Sequence, residues 1–64
     1  MKVKDFIKTA NTENKDIILY EFDKDGDIAS SLFHTVEEIP SEYMDKEVIY
    51  ATDDGTWNAV YIEI

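Results

Sequence analysis

The sequence predicts an α+β fold: a small four-stranded, mainly antiparallel sheet of two hairpins, with an N-terminal helix packed on one face and a short helical turn between the hairpins. Three observations predict it. Val3, Phe6, Ile7 and Ala10 recur at i, i+3, i+4 and i+7, the spacing of one helix face. Two later stretches rich in β-branched and aromatic residues are each broken by an Asp-Gly pair, Asp25-Gly26 and Asp54-Gly55, which supplies the positive φ that tight hairpin turns require. Between them stands Pro40 followed by Ser41-Glu42-Tyr43-Met44-Asp45, room for one helical turn with Ser41 or the residues before it as cap.

Taken in order, the helix covers Val3 to Ala10, with Lys2, Lys4, Asp5 and Lys8 on its polar side, and it frays into the polar connector Asn11 to Asn14. Asp16 to Phe22 is the first strand, Asp23-Lys24-Asp25-Gly26-Asp27 the turn, and Ile28 to Val36 the returning strand. The second hairpin pairs Glu47 to Thr52 with Thr56 to Ile64. In its last strand Trp57, Ala59 and Tyr61 share one face and Val60, Ile62 and Ile64 the other. Both faces are apolar. One covers the helix; the other is either the face of a central strand or an exposed binding or dimer surface.

Sixty-four residues form a single domain, 1–64, close to the size at which burial only just offsets chain entropy. A hydrophobic content of 44% with Trp57, four Tyr and three Phe is too rich in core formers for a disordered acidic tail. With no Cys, disulfides and thiolate chemistry are excluded, and a secreted domain of this size usually depends on such staples. The basic start lacks the apolar stretch of a signal peptide, and nothing approaches a membrane span. A cytoplasmic location is expected.

Charge bounds the partner. Fifteen Asp and Glu face six Lys and no Arg, a net of -9. Four Lys (Lys2, Lys4, Lys8, Lys15) lie within residues 1 to 15 against Asp5 and Glu13, so residues 16 to 64 carry -11. Such a chain repels phosphate backbones and anionic lipid: no nucleic acid and no membrane are expected as direct partners, and a basic protein surface is.

Motifs for chemistry are few. Asp23, Asp25 and Asp27 match the first three ligand positions of a calcium-binding EF-hand loop, but the Gly of position 6 is Ile28 and the bidentate Glu of position 12 is His34. This is an Asp-rich hairpin turn, with at most weak, millimolar-range cation binding. His34 has no nucleophile or orienting partner at a recognisable spacing. Glu37-Glu38 and Asp53-Asp54 sit in a loop entrance and a turn, without a cleft to raise one pKa. Only Gly26 and Gly55 are glycine, so there is no phosphate-binding loop. The chain reads as no enzyme, needing no cofactor and no metal.

The tyrosines Tyr20, Tyr43, Tyr50 and Tyr61 supply rings that suit both a core and an interface. Tyr43 is the expected anchor because it lies in the acidic segment Glu37, Glu38, Glu42, Asp45, Glu47, opposed only by Lys46. Asp53 and Asp54 are a second acidic cluster. A charge run of this kind is either a solvated face that aids solubility or a surface whose charge density begins to approach that of duplex phosphates.

The N-terminal Val-Lys-Asp-Phe-Ile, the central Glu-Glu-Ile-Pro-Ser-Glu-Tyr-Met-Asp-Lys-Glu-Val and the closing Val-Tyr-Ile-Glu-Ile resemble, in character over most of the chain, the small acidic α+β proteins encoded by phages, prophages and plasmids of Gram-positive bacteria. The resemblance implies an anti-CRISPR or anti-restriction type of inhibitor that occupies nucleic-acid sites on host defence enzymes; it supplies no site residues. The expected function is therefore a non-enzymatic inhibitor on the basic nucleic-acid-binding surface of a host protein, such as a CRISPR effector nuclease. The alternative is a structural or adaptor module that forms a homodimer through an apolar sheet face.

Overall fold

The structure, a computed structural model, describes residues 1–10 and 12–64; Asn11, at the head of the expected connector, lies outside the described residues. The elements are α1 (Val3–Thr9), β1 (Asp16–Phe22), β2 (Ile28–Phe33), a 3₁₀ turn (Val36–Glu38), α2 (Ser41–Met44), β3 (Tyr50–Asp54) and β4 (Ala59–Glu63). This is the α+β arrangement the sequence predicts. The four strands lie in the order β2-β1-β4-β3. Both hairpins are antiparallel, and β1 and β4 join them as a central parallel pair, so the sheet is mixed.

Period-2 alternation sorts the side chains of this sheet into two faces. On the helix side, Phe33, Ile17, Val60 and Asp53 stand in one row across the strands, and Ser31, Leu19, Ile62 and Ala51 in the next. Ile17, Leu19, Val60 and Ile62 form the core with Val3 and Ile39, and Phe6, Ile7, Val36, Tyr43 and Met44 pack around them. Val3 is the fully buried residue of α1. Phe6 and Ile7, at the expected core spacing, are only half-buried, because a seven-residue helix lies over a core that the short α2 shares.

The helix has no capping side chain at Lys2. Its first amide is satisfied instead through tertiary structure: the Val3 amide donates to the Lys46 carbonyl (2.9 Å), and the Val48 amide to the Met1 carbonyl (2.8 Å). One of the orphan donors that every helix start leaves, together with the Val48 amide donating the other way, thus ties the N-terminus to the segment entering β3.

The turns differ in how far they follow expectation. In the first, the Gly26 amide donates to the Asp23 carbonyl (3.0 Å) and Gly26 has φ +84°, a turn followed by a left-handed residue. In the second, the left-handed residue is Asn58 (φ +53°), not Gly55. The Asp54 carboxylate accepts the Thr56 (3.0 Å) and Trp57 (3.4 Å) amides, which wraps Gly55 to Asn58 into the turn and delays β4 until Ala59. Trp57, expected on that strand, therefore sits in the turn and is 72% exposed. The returning strand β2 likewise stops at Phe33 rather than Val36, because the His34 amide donates to the Glu38 carboxylate (3.1 Å) and Val36–Glu38 coils into the 3₁₀ turn.

Candidate functional site

Two surfaces compete as the working face: the acidic segment, and the side of the sheet opposite the helices.

The acidic segment is the connection between the two edge strands, β2 and β3. Glu37 and Glu38 lie in the 3₁₀ turn and Glu42 and Tyr43 in α2. Several of its carboxylates already have internal partners. Asp45 pairs with Lys4 (3.2 Å), Glu47 with the N-terminal ammonium (3.0 Å), and Glu38 accepts the His34 amide. Among the described residues, Glu37 and Glu42 make no ion pair. Tyr43, the expected anchor, is half-buried against the core with its ring 6.3 Å from that of Phe33. It helps hold α2 down as well as showing an edge to solvent.

The structure brings Asp53 and Asp54 onto one strand but onto opposite faces. Asp53 stands opposite Val60 on the helix side and pairs with Lys15, whose side chain is only 16% exposed. Asp54 stands opposite Ala59 on the other side and caps the turn. Adjacent carboxylates in sequence are thus not one cluster in space.

His34, set aside as lone, has a partner after all. Its Nδ1 lies 2.9 Å from Asp16 Oδ1. The hydrogen bond to Asp16 raises its pKa above the ordinary 6.5, with the charge of Asp16 adding, desolvation opposing and the charge of Glu38 adding least. The pair is exposed, and it fastens the end of β2 to the start of β1. In the Asp23–Asp27 turn, Asp23 Oδ1 accepts the amides of Asp25 (2.8 Å) and Asp27 (2.9 Å), an Asx turn that uses this carboxylate to shape backbone. Among the described residues no three His, Asp or Glu gather as a metal site.

The other side of the sheet is uncovered. Its rows are Leu32, Ile18, Tyr61, Thr52 and then Ser30, Tyr20, Glu63, Tyr50, with Phe22 and Ile28 beyond them at one end. Phe22, Ile28, Leu32 and Tyr50 are each half exposed or more. Phe22 and Tyr20 meet edge to face, centroids 5.9 Å apart. A shallow depression of about 340 Å³ crosses the sheet between Ile28 and Thr52, floored by Ile18, Tyr20 and Tyr61. Burial pushes the Tyr20 hydroxyl above its ordinary 10.0, with the neighbouring Glu63 and Tyr50 adding, so it stays protonated and able to donate.

Of this face, sequence reasoning grouped Tyr61 with Ala59 and singled out Tyr20, Tyr50 and Asp54 separately, without placing them together. The signal it passed over is in β1, where Ile17 and Leu19 alternate with Ile18, Tyr20 and Phe22, two apolar faces on a strand that has helices on one side only. No helix among the described residues is long and apolar enough to cross a membrane. Compared with protein-family models, with curated proteins and with solved structures, the chain matches none.

Proposed function

We propose that this chain is a non-enzymatic protein that binds a basic, nucleic-acid-binding surface of another protein and blocks it. A nuclease of a host defence system, such as a CRISPR effector, is the target class that the sequence resemblance suggests. The observation that carries the reading is the charge: -9 on 64 residues with no Arg, with Lys4, Lys15 and the N-terminal ammonium already held in internal pairs with Asp45, Asp53 and Glu47. Outside these three pairs, Lys2, Lys8, Lys24 and Lys46 stand against twelve carboxylates. A field of one sign accelerates encounter with a Lys- and Arg-lined groove and excludes partners that lack one.

The test is competition. Against a purified CRISPR effector nuclease, the chain should displace single- and double-stranded DNA. Its association rate should fall steeply as ionic strength rises, since the Debye length is only about 8 Å at physiological salt. The triple variant Glu37→Gln, Glu38→Gln, Glu42→Gln should associate more slowly and with a flatter salt dependence. Binding that ignores salt and leaves DNA in place refutes the reading.

The uncovered apolar face favours one second reading, an adaptor that dimerises through its sheet. Sedimentation equilibrium at neutral pH separates the two, since only the second gives a dimer without any partner.

A further inference from the structure

The uncovered sheet face is as one-sided in chemistry as in exposure. Its apolar and aromatic residues form a continuous surface across all four strands, and continuous surfaces of that kind mark interaction sites. Its strand positions carry three charges, Asp16, Asp54 and Glu63, all negative. The cations lie elsewhere. Lys4 and Lys15 are held by Asp45 and Asp53, Lys2 and Lys8 belong to α1 and its cap, Lys46 follows α2, and Lys24 is in the β1–β2 turn; the ring of His34, just beyond β2, meets Asp16 at the far end of the face from Glu63.

Charge decides what can cover such a face. Aromatic sheet faces that stack nucleic-acid bases work together with cations that track the backbone, and here the strands offer carboxylates instead. A second copy docked face to face would gather Asp16, Asp54 and Glu63 of both copies into one interface with no lysine at any strand position of the face to oppose them, between two chains of net -9 each; uncompensated like charge at an interface is unfavourable. A basic partner meets neither obstacle.

Glu63 makes the requirement specific. It stands opposite Tyr20 on one side and Tyr50 on the other, a carboxylate walled by two rings, and among the described residues it has no basic partner. A guanidinium is the group that satisfies both features together: it stacks flat on aromatic faces and pairs bidentately with a carboxylate, which a lysine ammonium cannot do. The depression beside Tyr20 and Tyr61 has room for the aliphatic stem.

We propose that the open face is the docking surface for an arginine-bearing segment of the basic partner, with a guanidinium stacked between Tyr20 and Tyr50 and paired with Glu63. This rests on the basic-partner reading above and moves the desolvated centre of the interface from Tyr43 to the sheet.

The probe is a twelve-residue peptide alternating Arg and Gly, titrated at low salt into the ¹⁵N-labelled full chain beside its Lys-Gly counterpart. The Arg peptide should bind more tightly, with amide shifts concentrated at Ile18, Tyr20, Ser30, Tyr50, Tyr61 and Glu63. Tyr50→Ser, at a position 58% exposed, should weaken it about two- to fivefold. Glu63→Gln should weaken it at least as much, and Glu42→Gln less than twofold. Shifts confined to residues 37–47 and equal for the two peptides would overturn the docking face while leaving the basic-partner reading intact. Absence of binding by either peptide overturns both. A neutral-pH dimer dissociated by Tyr50→Ser overturns the proposal in favour of a second copy.

Discussion

The chain has two leucines, and they test the one-sided packing of the sheet with identical chemistry. Leu19 is 2% exposed on the helix side of β1, and Leu32 is 53% exposed on the open side of β2. Leu19→Ala removes a side chain from the centre of the core, a change that costs about 3 to 5 kcal/mol when the surroundings cannot collapse. Leu32→Ala removes one that is about half in water, and since full burial of a leucine is worth about 1.5 to 3 kcal/mol, its loss should cost about 1 kcal/mol or less. For a domain of this size total stability is about 3 to 10 kcal/mol, so the first variant forfeits much of the fold and the second hardly disturbs it. With a urea m-value of about 1 kcal/mol/M, the midpoint should fall by about 3 to 5 M for Leu19→Ala and by about 1 M or less for Leu32→Ala. Far-UV circular dichroism is the right probe, because Trp57 sits exposed in a turn and its fluorescence reports little of the core. Equal midpoint shifts would refute the argument. A Leu32→Ala penalty that grows with protein concentration would show that another copy covers the open face.

His34 should titrate above 6.5 by NMR in the wild type and return toward that value in Asp16→Asn, since the hydrogen bond its ring donates to the Asp16 carboxylate is the main cause of the shift. A folded-state pKa raised above the unfolded one stabilises below the unfolded value and is lost as pH rises through the folded one, so the Asp16→Asn penalty should be full at pH 5 and shrink as pH rises through the folded-state pKa of His34. A penalty that grows toward alkaline pH contradicts this. Left-handed backbone orders three substitutions in thermal melts: Gly26→Ala should cost about 1 kcal/mol and Asn58→Ala about 1 to 2, the latter also losing its side-chain bond to the Asn14 carbonyl. Gly55→Ala, with normal φ and open space around it, should stay within about 0.5 kcal/mol, and a loss as large as that of Gly26→Ala would contradict the turn geometry. Near the isoelectric point of about 4.2, while still folded by circular dichroism, the chain should self-associate in sedimentation velocity and be monomeric at pH 7; Leu32→Lys should suppress the association, and a monomer at both pH values would sink the idea.

What was legible in the sequence is what local chemistry decides. The i, i+3, i+4, i+7 spacing of Val3 to Ala10, the apolar run Asp16 to Phe22 and the Asp25-Gly26 turn each specify their own geometry, and each is found where it was expected. The failures are where a side chain competes for backbone. Asp54 draws in two amides and moves the strand start from Thr56 to Ala59, and Glu38 takes the His34 amide and ends β2 early. Neither bond can be read from propensity, because both depend on where a carboxylate points after the chain has turned. The parallel pairing of β1 with β4 joins residues more than 40 positions apart, and no local pattern encodes that partner. It is also what places Glu63 between Tyr20 and Tyr50. The residue types of the candidate site were therefore visible in the sequence, but their grouping was not: Asp53 and Asp54 are neighbours in sequence on opposite faces, whereas Tyr20 and Glu63 are distant in sequence and adjacent in the sheet.

The open face and the charge are best understood together. An unpaired sheet face with Phe22, Ile28, Leu32 and Tyr50 exposed invites association with any apolar surface, its own copy first of all. Covering it with a second helix layer would remove the hazard, but a chain of 64 residues has already used its helices on the other side. Charge of one sign is a different solution, because it acts between molecules at long range and leaves the face itself uncovered. Every copy repels every other copy, nucleic acid and anionic lipid alike, while a cationic partner is attracted. On the proposed reading the guard is also the selector, and that reading accounts for a feature that stability alone does not: a small domain gains nothing in its own folding from a net charge of -9, whose self-repulsion disfavours the compact state. That penalty is tolerable if the exposed face must stay available for a basic partner and closed to everything else.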